Sequence, residues 1–83
     1  MSHDEGQTTD ERLVYMANQI ATFFESQSPQ AAAHGVADHI NNFWEPRMRK
    51  RFFELAESGL FKLKPIVMEA LPEIRRPKET TEA

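Results

Sequence analysis

Apolar residues along this 83-residue chain recur three and four positions apart in blocks separated by proline and glycine, which is the period of amphipathic helices rather than of strands. In the first block Leu13, Ala17, Ile20 and Phe24 fall on one line, with Met16 and Phe23 on one flank and Val14 and Ala21 on the other. The apolar arc spans about half the circumference, which predicts a helix packed against two neighbours. Tyr15, Asn18, Gln19, Thr22 and Glu25 fill the solvated half. Thr8 and Glu11 have capping-box spacing, and Asp10 and Glu11 suit the positive end of the helix dipole, so the helix is expected to begin at Thr8.

Ser28-Pro29 restarts the chain, with serine as cap and proline at the first helical position. The second helix is expected to reach Phe43, with Ala32, Ala33, Val36, Ala37, Ile40, Phe43 and Trp44 on its apolar face and His34, Asp38, Asn41 and Asn42 opposite. Its small alanines permit close approach to another helix, and its terminal aromatics require a pocket. Glu45-Pro46 marks a corner, because the residue before proline is pushed out of the α region. A third helix follows from Pro46 to Ser58, stopped by Gly59 as a left-handed cap. Met48, Phe52, Leu55 and Ala56 form its stripe, Arg47, Lys50, Arg51 and Glu54 its solvated side, and Arg49 and Phe53 the remaining flank. Phe53 there is either a second core contact or an exposed anchor. A connector at 60–64 leads to a short helix from Pro65 to Leu71, ended by Pro72.

The reading is thus all-α: a small bundle of three main helices plus a short fourth. Residues 8–71 form one helical domain between a disordered N-terminus at 1–7 and a disordered, charged tail at 72–83. The expected core is Leu13, Ala17, Ile20, Phe24, Val36, Ile40, Phe43, Trp44, Met48, Phe52 and Leu55. Trp44 and Phe43 beside Pro46 offer an exposed hot spot; against it, Trp44 reads first as the largest core residue, and the two readings agree if only its rim is exposed.

Composition narrows the chemistry. There is no cysteine, which excludes disulfides and thiolate metal sites and fits a reducing cytoplasm. The N-terminal segment MSHDEGQTTDER is acidic and polar, unlike a secretory signal, and no apolar run approaches the ~20 residues of a membrane span. No glycine-rich phosphate loop is present. His34 and His39 stand five apart, about 140° around a helix, whereas paired ligands want i,i+4; His39 is expected beside Phe43, four residues on. Asp10/Glu11 and Glu54/Glu57 occupy polar helical positions and read as solvated surface rather than acid and base.

Charge is unevenly placed. Residues 1–45 carry seven acids and one base, residues 46–83 nine bases and six acids, for a net charge of −3. The run Arg47-Met48-Arg49-Lys50-Arg51 offers two functional readings, a partner-protein surface and a phosphate-binding face. Net acidity and the lack of a glycine-containing turn before a recognition helix favour the first. A free-standing helical DNA-binding regulator using 47–51 is the alternative, and a small enzyme a weaker third.

Three blocks carry a family resemblance: Met16-Ala17-Asn18-Gln19-Ile20-Ala21 with Phe23-Phe24, Ala37-Asp38-His39-Ile40, and Phe43-Trp44-Glu45-Pro46-Arg47-Met48-Arg49. In order and spacing, residues 12–71 resemble the delta subunit of cytoplasmic NAD-dependent formate dehydrogenases. The resemblance implies a non-catalytic accessory subunit that supports assembly, cofactor loading or stability of a complex oxidising formate to carbon dioxide. The molybdenum or tungsten pterin, iron–sulfur clusters and FMN would then belong to larger partner subunits, with no cofactor in this chain. Glu45 stands where aspartate is common, and Lys64 precedes Pro65 where an acid would cap better, which weakens the starts of the third and fourth helices. The expected partner surface is Trp44, Pro46, Arg47, Arg49 and Phe53. Arg49 and Phe53 are its anchor, Arg47 its rim, and the catalytic subunit the favoured partner. Arg47 and Arg49 lie about 200° apart on the helix, so one partner is not expected to take both in the same way.

Overall fold

Prolines open three of the four helices in the computed structural model, which describes residues 9–77: α1 (Thr9–Phe24), α2 (Pro29–Phe43), α3 (Pro46–Ser58) and α4 (Pro65–Ala70), followed by a 3₁₀ turn (Leu71–Glu73). The expected Thr8 cap, the disordered N-terminus at 1–7 and residues 78–83 of the expected tail lie outside the described residues. Helix starts follow the capping chemistry of the sequence. The Ser28 hydroxyl accepts from the Ala31 N–H at 3.3 Å, whereas Glu45 and Lys64 make no side-chain cap bond. Gly59, at φ 74°, closes α3 in the left-handed conformation that a side chain resists.

The elements form an all-α bundle, with no strand among the described residues. Helix α2 packs against α1 and α4, and α3 lies on α1. The α1–α2 seam is built from alanines: Ala17, Ala21, Ala32, Ala33 and Ala37 are all buried, so the two backbones approach closely. Gly35 extends this seam. A Cβ there would lie 2.6 Å from Phe24 Cε1, so the Phe24 ring rests on bare α2 backbone.

Phe52, Ile40, Val36 and Val67 are the largest fully buried side chains. Trp44 is 6% exposed and meets Phe52 edge to face with ring centroids 5.6 Å apart, which makes it a core residue. Two expectations for the core need correction, and the open choice at Phe53 is decided. Phe43 is 71% exposed: α2 ends there, Trp44 leaves in an extended conformation and fills the interior, and Phe43 stays outside against His39, ring centroids 4.8 Å apart. Ile20, Phe24 and Met48 are only partly buried and pack against the core from its edge. Phe53, set apart from the main stripe, is 4% exposed and belongs to the core.

The expected disordered tail from residue 72 is also corrected within the described part. Residues 71–76 fold back over α2 and α3, and Ile74, the one aliphatic residue there after Leu71, is 3% exposed. Burying such a side chain contributes roughly 1.5–3 kcal/mol, enough to fix an otherwise polar strap.

Asparagine holds both ends of the α4 unit. The Asn18 amide of α1 donates to the Lys62 carbonyl at 3.1 Å and its oxygen accepts from the Lys64 N–H at 2.9 Å, bracketing Leu63. The Asn41 amide of α2 donates to the Glu73 carbonyl at 3.1 Å and accepts from the Arg75 N–H at 2.8 Å, bracketing Ile74. Each asparagine satisfies two backbone groups that no helix supplies with partners.

Candidate protein-interaction surface

The corner between α2 and α3 sets the candidate surface. Glu45 is extended (φ −67°, ψ 156°) and Pro46 occupies the first position of α3, so the first turn projects from a rigid start. Helical geometry then sends Arg47 and Arg49 to different sides. Arg47 is exposed at the mouth of a cleft of about 400 Å³ lined by Thr9, Leu13, Glu45, Met48 and Arg51. Arg49 is half buried; its Nη1 donates to the Arg75 carbonyl at 2.6 Å and its Nε to the Trp44 carbonyl at 3.4 Å. Phe53 lies beneath the strap with the Arg76 guanidinium 4.0 Å from its ring centroid, and Arg76 also pairs with Glu57.

The five named residues therefore divide. Pro46 and Arg47, the latter expected as rim, are exposed; Trp44 lies in the core behind them; and Arg49 and Phe53, expected as the anchor, are covered by residues 75 and 76 of the chain's own strap. The basic run divides in the same way. Arg51 forks onto Asp10 at 2.7 and 2.8 Å and reaches Glu54 at 2.7 Å. The hydrogen bond from Arg51 holds the Asp10 carboxyl below the usual carboxylate range, and the bonds to Asp10 and then Glu54 raise the Arg51 pKa. With Arg49 held by backbone carbonyls and Arg51 by carboxylates, Arg47 and Lys50 are the cations of the run left without a side-chain hydrogen bond or ion pair among the described residues.

Sequence reasoning missed several surface features. Phe23 (77% exposed) and Leu60 (81% exposed) stand outside the bundle together with Phe43. Their signal was positional: Phe23 lies in the last turn of α1, Phe43 closes α2 and Leu60 follows the Gly59 cap, all at helix ends. Asn18 and Asn41 were placed among solvated residues, yet both bind backbone. His34 is exposed and contacts Glu73 of the strap at 3.0 Å.

Iron–sulfur clusters are held by cysteine thiolates, and the sequence has none. Among the described residues no three His, Asp or Glu side chains converge on a metal position, and no helix is long and apolar enough to cross a membrane.

No curated protein and no solved structure matches the chain. A protein-family model does, over residues 12–71, the span from the first turn of α1 to the end of α4: that of the NADH-dependent formate dehydrogenase delta subunit, FdsD. The match covers well over half of the chain and includes the α2–α3 corner with its open rim. This chain belongs to the formate dehydrogenase delta-subunit family.

Proposed function

We infer that this chain is a non-catalytic accessory subunit that docks onto the larger subunits of an NADH-linked formate dehydrogenase, with the catalytic subunit as first partner. The observation that carries this reading is the family match across residues 12–71. The surface supports it: a bundle that buries sixteen apolar residues leaves Phe43 outside at the same corner as Pro46 and Arg47. Aromatic and arginine side chains together, on a rigid support, are the usual anchors of protein interfaces.

In this reading Phe43 and Arg47 supply contact area and directional hydrogen bonding, and Lys50 adds a peripheral charge. The formate chemistry, with its molybdenum or tungsten pterin, iron–sulfur clusters and FMN, resides in the larger subunits in the cytoplasm. The chain acts on their assembly, cofactor loading or stability. The test is to purify the complex from its native host through a tag on this chain, then from a strain lacking it. Co-purification of the larger subunits, with lower occupancy of metal and cofactor or lower thermal stability when the chain is missing, is the expected result. A chain that purifies alone from cells making active enzyme would refute the reading.

A further inference from the structure

Residues 73–76 are held on the bundle as a peptide ligand is held. Ile74 is extended (φ −82°, ψ 127°), so side chains two apart turn to the same side. Ile74 enters the core and the Arg76 guanidinium lies over the Phe53 ring. The backbone flanking Ile74 is read by side chains: Asn41 binds the Glu73 carbonyl and the Arg75 N–H, and Arg49 binds the Arg75 carbonyl. Such bonds recognise an extended chain without regard to sequence, and specificity is left to two positions. One takes an aliphatic side chain, and the other takes a cation between the Phe53 face and the Glu57 carboxylate.

Two further features separate this strap from an ordinary packed terminus. Its polar side-chain contacts are exposed, the ion pair of Arg76 with Glu57 and the contact of Glu73 with His34, and exposed contacts of this kind hold weakly. Helix α4 keeps its own anchors, Val67 and Ala70, both fully buried, so the strap is able to leave without unseating it. Asn18 makes the same bracket around Leu63, but that residue is fixed between two helices, whereas Ile74 lies beyond the last one. A recess of about 510 Å³ runs beside the strap, with the strap's own Ile74, Arg75 and Arg76 on one side and Phe53 and Glu57 of α3 on the other.

We propose that the groove between α2 and α3 is a peptide-binding site for an extended segment of a partner protein with an aliphatic residue two positions before an arginine, and that residues 73–76 fill it in cis as a displaceable pseudoligand. The site goes beyond the subunit assignment, because its chemistry is the same whichever protein supplies the segment. Displacement of the strap also uncovers Phe53 and Arg49, so the partner segment replaces one set of contacts with an equivalent set.

The test uses the full chain and a fluorescein-labelled peptide of sequence Pro-Glu-Ile-Arg-Arg-Pro, that of residues 72–77. Fluorescence anisotropy should show the Ile74→Ser chain binding the peptide at least about ten-fold more tightly than the wild type, whose cis segment competes at about millimolar effective concentration. Serine in place of the peptide's isoleucine, glutamate in place of its second arginine, or Asn41→Ala added to the Ile74→Ser chain should each abolish that gain. Equal binding by both chains, or none by a helical Ile74→Ser chain up to about 1 mM peptide, overturns the proposal. Hydrogen exchange on the wild-type chain is an independent measurement should Ile74→Ser fail to fold. The Arg75 N–H should exchange through an opening that leaves the middle of α2 protected, and exchange of both only through global unfolding overturns the proposal. A wild-type dimer that Ile74→Ser abolishes makes a second copy the occupant and overturns the partner assignment.

Discussion

The size of the Gly35→Ala effect should depend on Phe24, the ring it faces. The added methyl would lie 2.6, 2.7 and 3.0 Å from three carbons of the Phe24 ring, against about 3.5–4 Å for ordinary carbon contact, so the ring must withdraw by about 1 Å. A gap of that size forfeits a quarter to a half of the dispersion attraction, which for a phenylalanine worth about 2 kcal/mol is up to about 1 kcal/mol. Relief of the glycine penalty within a helix returns about 1 kcal/mol. In the wild type these terms nearly cancel, leaving a net stabilisation between zero and about 0.5 kcal/mol. In a Phe24→Ala background only the propensity gain remains, and Gly35→Ala should stabilise by about 1 kcal/mol. The double-mutant cycle therefore yields a coupling of about 0.5–1 kcal/mol, measurable by urea unfolding followed by far-UV circular dichroism. Phe24 is only partly buried, so its truncation should leave a folded reference. If Gly35→Ala stabilises both backgrounds equally, the ring does not rest on α2 and the account of the α1–α2 seam is wrong.

Phe52→Ala should remove about 3–5 kcal/mol, because the side chain is fully buried against Trp44, and in a domain this small that approaches complete unfolding by thermal melt. An unchanged midpoint would take Phe52 out of the core. The Asp10–Arg51 pair should contribute stability above the carboxylate's ordinary pKa of 3.8 and lose it as pH falls through the lower folded value. Asp10→Asn should accordingly lower the melting temperature at neutral pH and converge with the wild type in acid, whereas a difference that persists at low pH would assign the loss to packing. Asn18→Ala should cost about 1 kcal/mol by removing the bonds to the Lys62 carbonyl and the Lys64 N–H, read as a lower urea midpoint; a neutral result would make that bracket incidental.

The helices were legible because each carries a strong local signal: period, Ser28-Pro29, the corner at Pro46, and Gly59 at a left-handed cap. Burial of Trp44 followed from its size and place. Phe43 was misplaced because a helix-wheel argument assumes the helix continues, while α2 ends there and Trp44 takes the interior. The strap was illegible for a different reason. Its composition is that of a disordered tail, and one isoleucine bracketed by an asparagine more than thirty residues earlier carries the folding information, which no local window contains. That contact hides Arg49 and Phe53, the pair sequence reasoning favours as an anchor. The rim at Pro46 and Arg47 was legible, since proline fixes the corner and the following turn must project.

The claim that this delta-family chain docks through the α2–α3 corner is tested most directly by co-purification of the larger formate dehydrogenase subunits with a tagged Phe43→Ser/Arg47→Glu variant. Both side chains are exposed, so helicity and melting temperature should match the wild type while recovery of the partner subunits falls at least about ten-fold, as for loss of an aromatic and arginine hot spot. Recovery equal to the wild type by a fully folded variant would contradict the assignment of this surface.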